Sequence, residues 1–134
     1  MVQEKFSKVP INQHLGFHLI AHSSESASIS MEPRPEFLQE EGIIHGAIVT
    51  ALADTAAVYT FHPGLSPDMT MTSIEFKLNF LSPALLDGGT ITARSSVVRK
   101  GRKIGVCDVD VMQGKRLIAK GLFTYLFYVR EQKH

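Results

Sequence analysis

Several things are scarce in this 134-residue chain, and each scarcity narrows what it can be. It has one cysteine, Cys107, so no intramolecular disulfide framework holds it together, and a reducing compartment, the cytoplasm, is the expected address. No stretch reaches ~18 uninterrupted apolar residues, so no membrane-spanning helix is expected. The amino terminus, MVQEKFSKVP, carries charges where a signal peptide would place its apolar stretch. Net charge is only +1, from 14 Lys/Arg against 13 Asp/Glu, which argues against a general nucleic-acid binder. Repeats, low-complexity tracts and linker-like stretches are missing, so residues 1–134 are expected to form one domain. The histidines (14, 18, 22, 45, 62 and 134) are scattered, with no HExxH pair and no cysteine partners, so no metal site is expected. His14, His18 and His22 have helix-face spacing, but Gly16 and the strand-like pattern after it weigh against that reading. Neither a GxSxG elbow nor a P-loop is present.

What is there is unevenly distributed. Residues 1–67 hold 3 Lys/Arg and 7 Asp/Glu, whereas residues 68–134 hold 11 and 6. The basic excess gathers at Arg99, Lys100, Arg102 and Lys103, then at Lys115 and Arg116. Two solvated turns would account for this, and so would a site for a small phosphorylated ligand.

Residues 5–20 begin with a short helix and reach a turn near Gly16. Alternation at Ala27, Ile29 and Met31 predicts a strand, and Pro33 and Pro35 then introduce a polar connection ending at Gly42. From Gly46 the chain is rich in Ala and other small or apolar residues until His62-Pro63-Gly64, a strong stop signal. This segment predicts a helix of about four turns, apolar nearly all the way round and therefore enclosed. Its one side chain charged at neutral pH is Asp54. Beyond it, residues 70–81 alternate, with Ile74, Phe76, Leu78 and Phe80 on one face and Ser73, Glu75, Lys77 and Asn79 on the other. Strands are also predicted at 90–99, 103–113 and 116–129, and short turns would join all four into an antiparallel meander. Cys107, within one of them, reads as a small packing residue.

An enclosed helix needs a curved antiparallel sheet wrapped around it. A sheet this small leaves open edges, and pairing with a second copy would cover them. An aspartate in such a helix is costly unless it is paired or has chemistry to perform. Bonding to Thr50, Thr55 or a strand serine is one account, and catalysis is the other. At the helix start, backbone N–H groups near Gly46 lack intrahelical partners and sit at the positive end of the helix dipole. They form a donor site for a developing oxyanion, and Gly46 has no side chain to obstruct it. Tight packing or an unusual backbone angle would equally call for glycine. Asp54 lies eight residues on, about 12 Å along the axis, so one carbonyl cannot touch both on a single helix. A shared reaction would need a second subunit.

The run GIIHGAIVTALADTAA resembles the signature of hotdog-fold thioesterases of the phenylacetate-degradation (PaaI-like) type. An early LGF segment, a long strand ending in Ser82-Pro83-Ala84 and a later Lys/Arg-Gly-Lys/Arg turn also match, over roughly residues 10–128. The resemblance implies an α+β hotdog fold, with a strongly curved antiparallel sheet wrapped around one long central helix. It implies hydrolysis of a small, medium or aromatic acyl-CoA in a homodimer, or a dimer of dimers. Coenzyme A would be part of the substrate, and no separate cofactor is implied.

Residue by residue, Gly46 matches the glycine whose N–H polarises the thioester carbonyl. Asp54 matches the acid that activates water or attacks directly, opposite Gly46 of the partner subunit. Gln39 falls where relatives often place an Asn that holds the carbonyl or water, and Ser73 where some place a serine beside the water. His45 matches the motif histidine that positions the helix start. The turn Arg99, Lys100, Gly101, Arg102 lies where relatives meet the CoA phosphates. Two departures stand out: Ala47 replaces a motif glycine, and Gln39 is one methylene longer than Asn. The same fold also hosts acyl-thioester dehydratases and hydratases and non-catalytic acyl-CoA-binding modules. The former usually pair a histidine with an acid, an arrangement not found on this helix.

Overall fold

The computed structural model describes residues 1–131, so the expected single-domain span ends three residues past what is described, and His134 lies outside it. The first expected helix is two: α1 (Val2–Lys8) and α2 (Pro10–Leu15), parted where Val9 turns extended ahead of Pro10. Gly16, at φ 70°, takes the left-handed conformation that ends α2. Strands β1 (Phe17–His22) and β2 (Ser26–Met31) follow, then a 3-10 turn at Pro35–Phe37 and the long helix α3 (Gly46–Phe61). The chain closes with β3 (Met69–Phe80), β4 (Ile91–Lys100), β5 (Ile104–Gln113) and β6 (Arg116–Val129).

All strands join one antiparallel sheet in the order β1-β2-β4-β5-β6-β3. The expected four-strand meander therefore holds only for β4, β5 and β6. Strand β3 does not pair with its successor β4. It crosses to the far edge and pairs along its length with β6, from Met69↔Val129 to Phe80↔Ala119. Residues 81–90 make the crossing, which leaves β4 free to pair with β2.

Helix α3 packs over β2, β4 and β5. Its Val49, Leu52, Ala53, Ala56, Ala57 and Phe61 are buried, above the buried Ile91, Ala93 and Ser95 of β4 and Cys107, Val109 and Val111 of β5. Small residues on both sides let helix and sheet approach closely, which accounts for the alanine-rich sequence. Within a single chain the enclosure is incomplete. Thr50, Ala51, Asp54, Thr55 and Val58 are only partly buried and Ala47 is exposed, so one flank of α3 lies open.

The faces of β3 also differ from the simple alternation. Ser73 pairs with Tyr125 and Glu75 with Thr124, leaving Ile74 as an extra residue in a β-bulge. The bulge resets the alternation. Ser73 lies opposite buried Tyr125, while Phe76 lies opposite buried Phe123, so both are on the helix side of the sheet. Glu75, Lys77 and Asn79 remain on the outer side. The expected grouping of Ser73 with them fails because a one-residue slip exchanges faces.

Candidate active site

The entrance to α3 is built by its cap. His45 has an extended backbone, and its Nδ1 accepts a hydrogen bond from Ala47 N–H at 2.9 Å. An accepting Nδ1 leaves the ring proton on Nε2. His45 N–H donates to Phe37 O and Ile44 N–H to Ala84 O, which tie the incoming chain to both neighbouring segments. Ile48 N–H and Val49 N–H donate to His45 O. Of the first four helical N–H groups, Gly46 N–H is the one that donates to nothing among the described residues.

Backbone angle is not the reason for glycine here, because the positive-φ glycines are Gly16, Gly42, Gly89 and Gly114. Close approach is: a Cβ on Gly46 would stand 3.3 Å from the Phe80 ring. Beside this point lies an apolar cavity of about 490 Å³, lined by Ile43, Ile44, Val49, Phe80, Leu81 and Ile118, among others.

Asp54 is half-buried, less enclosed than an all-apolar helix implied. Among the described residues its side chain has one hydrogen-bond partner, the Tyr125 hydroxyl, which donates to Oδ1 at 2.5 Å and lies 3.4 Å from the Asp54 carbonyl oxygen. The threonines expected as alternative partners are engaged elsewhere: Thr50 Oγ1 donates to Gly46 O and Thr55 Oγ1 to Ala51 O. Tyr125 is buried, and burial first, then its bond to Asp54, push the phenol far above its ordinary range. It therefore stays a neutral donor at any working pH. Sequence reasoning placed Tyr125 only within the strand predicted at 116–129. The available signal was its place between Phe123 and Phe127, two residues away on either side of the same face.

Ser73 joins this group through the register, directly across the ladder from Tyr125. Facing residues of an antiparallel pair hold their Cβ atoms about 4.5–5.5 Å apart. Gln39 stays apart from it. Its Oε1 accepts from Glu41 N–H within its own turn, and it borders a shallow cleft with Leu38 and His45.

Arg99, Lys100, Gly101 and Arg102 cap the β4–β5 hairpin at the opposite end of α3 from Gly46. Lys100 Nζ comes within 3.5 Å of where a Cβ on Gly64 would stand, just past the helix. The other basic cluster is at the Gly46 end, where Arg116 Nη2 donates to Pro83 O at 2.6 Å beside the apolar cavity. Among the described residues the histidines do not converge: His14 is on α2, His18 and His22 on β1, His45 at the start of α3 and His62 just past it. Cys107 is buried, which pushes its thiol up to about 11.

Residues 41–120 match the family model described as the thioesterase superfamily. The chain belongs to that superfamily. Among the curated relatives of this thioesterase is the medium/long-chain acyl-CoA thioesterase YigI of Escherichia coli K12. It is 28% identical over 134 residues, covering 88% of this chain and 85% of the relative. The acyl-coenzyme A thioesterase PaaI of the same organism is 28% identical over 98 residues, covering 73% and 67%. Among solved structures, a thioesterase from Haemophilus influenzae superposes with a TM-score of 0.87 at 22% identity, covering 99% of this chain and 92% of that one. E. coli PaaI superposes with a TM-score of 0.81 at 23% identity, covering 93% and 88%. The six-stranded sheet around α3 is a hotdog fold.

Proposed function

We propose that this thioesterase hydrolyses acyl-CoA thioesters, with a small, medium or aromatic acyl group, to the free acid and CoA. One observation carries the reading: an N–H at Gly46 that is open among the described residues and a held carboxylate at Asp54 on the same helix, eight residues apart. At ~1.5 Å per residue they stand about 12 Å from each other, so the working pair is Asp54 of one subunit with Gly46 of the partner subunit.

The thioester carbonyl accepts a hydrogen bond from that N–H, whose position at a helix start favours negative charge. Asp54 takes a proton from water as the water attacks the carbonyl carbon. The tetrahedral oxyanion collapses, the C–S bond breaks, and the departing sulfur takes the proton from Asp54. Ser73 steadies the water, Gln39 assists with carbonyl or water, and His45 positions the helix start. The apolar cavity beside Gly46 suits an acyl chain. The basic turn Arg99–Arg102 receives the CoA phosphates, and no further cofactor takes part.

The dimer is supported by β3, an edge strand on which Ile74, Phe76 and Phe80 are 51%, 48% and 55% exposed. Apolar side chains along an unpaired edge call for a covering surface, and a second copy of β3 supplies one. The single domain and the cytoplasmic setting belong to the same proposal.

The test is Asp54→Asn, assayed by release of free CoA with a thiol reagent across acetyl-, hexanoyl- and aromatic acyl-CoAs. Turnover should fall about 10²- to 10⁴-fold with melting unchanged. A folded Asp54→Asn protein with near-normal turnover refutes the assignment.

A further inference from the structure

We infer that Tyr125 is the positioning residue for the Asp54 carboxylate, fixing one oxygen so that the other is presented to the reacting water. The inference rests on the proposed role of Asp54 and deepens it.

Packing does not explain the hydroxyl. Tyr125 sits on one face of β6 between Phe123 and Phe127, all three buried, and Phe61 meets the rings of Tyr125 and Phe127 edge-on, at centroid distances of 6.1 and 5.5 Å. Phenylalanine therefore satisfies both neighbouring sites in this row. Across the ladder on β5, Tyr125 faces Gly105, where a Cβ would stand 3.0 Å or less from the Phe61 and Phe127 rings. The row is filled by rings with no room to spare. The one atom that distinguishes Tyr125 is its hydroxyl oxygen, and it meets Asp54 Oδ1.

Asp54 depends on that contact. Neither ion pair among the described residues involves it, and the threonines on either side of it bond the helix backbone. A carboxylate on a half-open flank of a helix keeps side-chain rotamer freedom unless something holds it. Tyr125 holds it with a charge-assisted bond from a rigid, buried ring. The phenol's raised pKa keeps the donor protonated. On the other side of Tyr125 in the ladder lies Ser73, just ahead of the bulge, which brings the proposed water-steadying hydroxyl to the same spot. Carboxylate, donor and serine thus come from three elements, and Tyr125 is the member that touches Asp54.

Tyr125→Phe removes the hydroxyl and keeps the ring. In the full-length protein with hexanoyl-CoA, kcat should fall about 10- to 100-fold, the range for losing one hydrogen bond to a charged group. KM should stay within about twofold and the melting temperature should hold, since uniform binding and packing are untouched. An unchanged kcat overturns the inference. So does a fall in kcat accompanied by a matching loss of melting temperature or a rise in KM, which would make the hydroxyl a structural element. Asp54→Asn separates this from failure of the underlying reading. If Asp54→Asn is inactive and Tyr125→Phe is normal, only the positioning role is lost. If Asp54→Asn is active, the site itself is misassigned.

Discussion

The proposed division of the site between subunits makes a quantitative forecast. Take one variant with Asp54→Asn and another with Gly46→Val. The second is allowed by the backbone, because Gly46 is not at positive φ, but its Cβ stands 3.3 Å from Phe80 and crowds the open N–H. Each homodimer lacks one half of both sites and is inactive. Refolded together at equal concentration, they distribute statistically, so about half of the dimers are mixed. In a mixed dimer, one site has both halves replaced. The other combines the intact Asp54 of one chain with the intact Gly46 of its neighbour. One working site in half of the dimers gives about a quarter of wild-type activity. If Asp54 and Gly46 served the same site within one chain, every site would carry one lesion and mixing would restore nothing. Free CoA release before and after co-refolding, with each parent as control, reads the difference. No recovery in a mixture shown by differential tags to contain mixed dimers would refute the divided site.

Three more outcomes are expected. Phe76 is 48% exposed on the edge strand and would appear twice in the proposed two-fold interface. Phe76→Asp should cost about 2 kcal/mol per dimer, roughly 30-fold in the dissociation constant, with activity becoming concentration-dependent. Sedimentation and dilution assays check this, and a variant that stays dimeric is the contrary result. Arg99→Ala with Arg102→Ala should raise KM for acyl-CoA about 2- to 10-fold at constant kcat. The effect should shrink with added salt and vanish with an acyl-pantetheine that has no phosphates. For alkaline stability, the Cys107 thiol is raised to about 11 by burial, above its unfolded value of 9.0. Its contribution is whole below pH 9 and is lost as pH rises from 9 to about 11, at about 1.4 kcal/mol per pH unit. Denaturant titrations at pH 9 and 10 should show that slope, and Cys107→Ala should flatten it.

Local features were readable without coordinates. Helix α3 announces itself through its small apolar residues and the His62-Pro63-Gly64 stop. The hairpin at Arg99–Arg102 and the one at Gly114 are written in glycine and charge. Asp54 stands out as the one side chain in its helix that is charged at neutral pH. What could not be read depends on contacts between distant parts of the chain. Strand β3 could have paired with β4, its neighbour in sequence, and only the assembled sheet gives it to β6. The bulge at Ile74 leaves no mark, because the residues around it alternate in sequence as an unbroken strand would. Tyr125 could not be matched to Asp54, 71 residues earlier, before the register of β6 against the helix was known. Gly46 was legible as a glycine at a helix start. That it holds the one open N–H followed only from seeing His45 occupy the next.

The bulge makes β3 sensitive to length in a way that no single substitution would reveal. One strand must turn Ser73 toward Tyr125 at one end and Phe76 and Phe80 toward the same side at the other, and those positions differ in parity. A regular strand of period two cannot meet both demands, and the surplus residue changes the phase between them. Ile74 is itself exposed, so many side chains would fit in its place. Removing it is another matter. With the phase shift gone, either the hydroxyl or the aromatic seam would have to face outward, and the strand could serve the proposed chemistry or the proposed interface but not both.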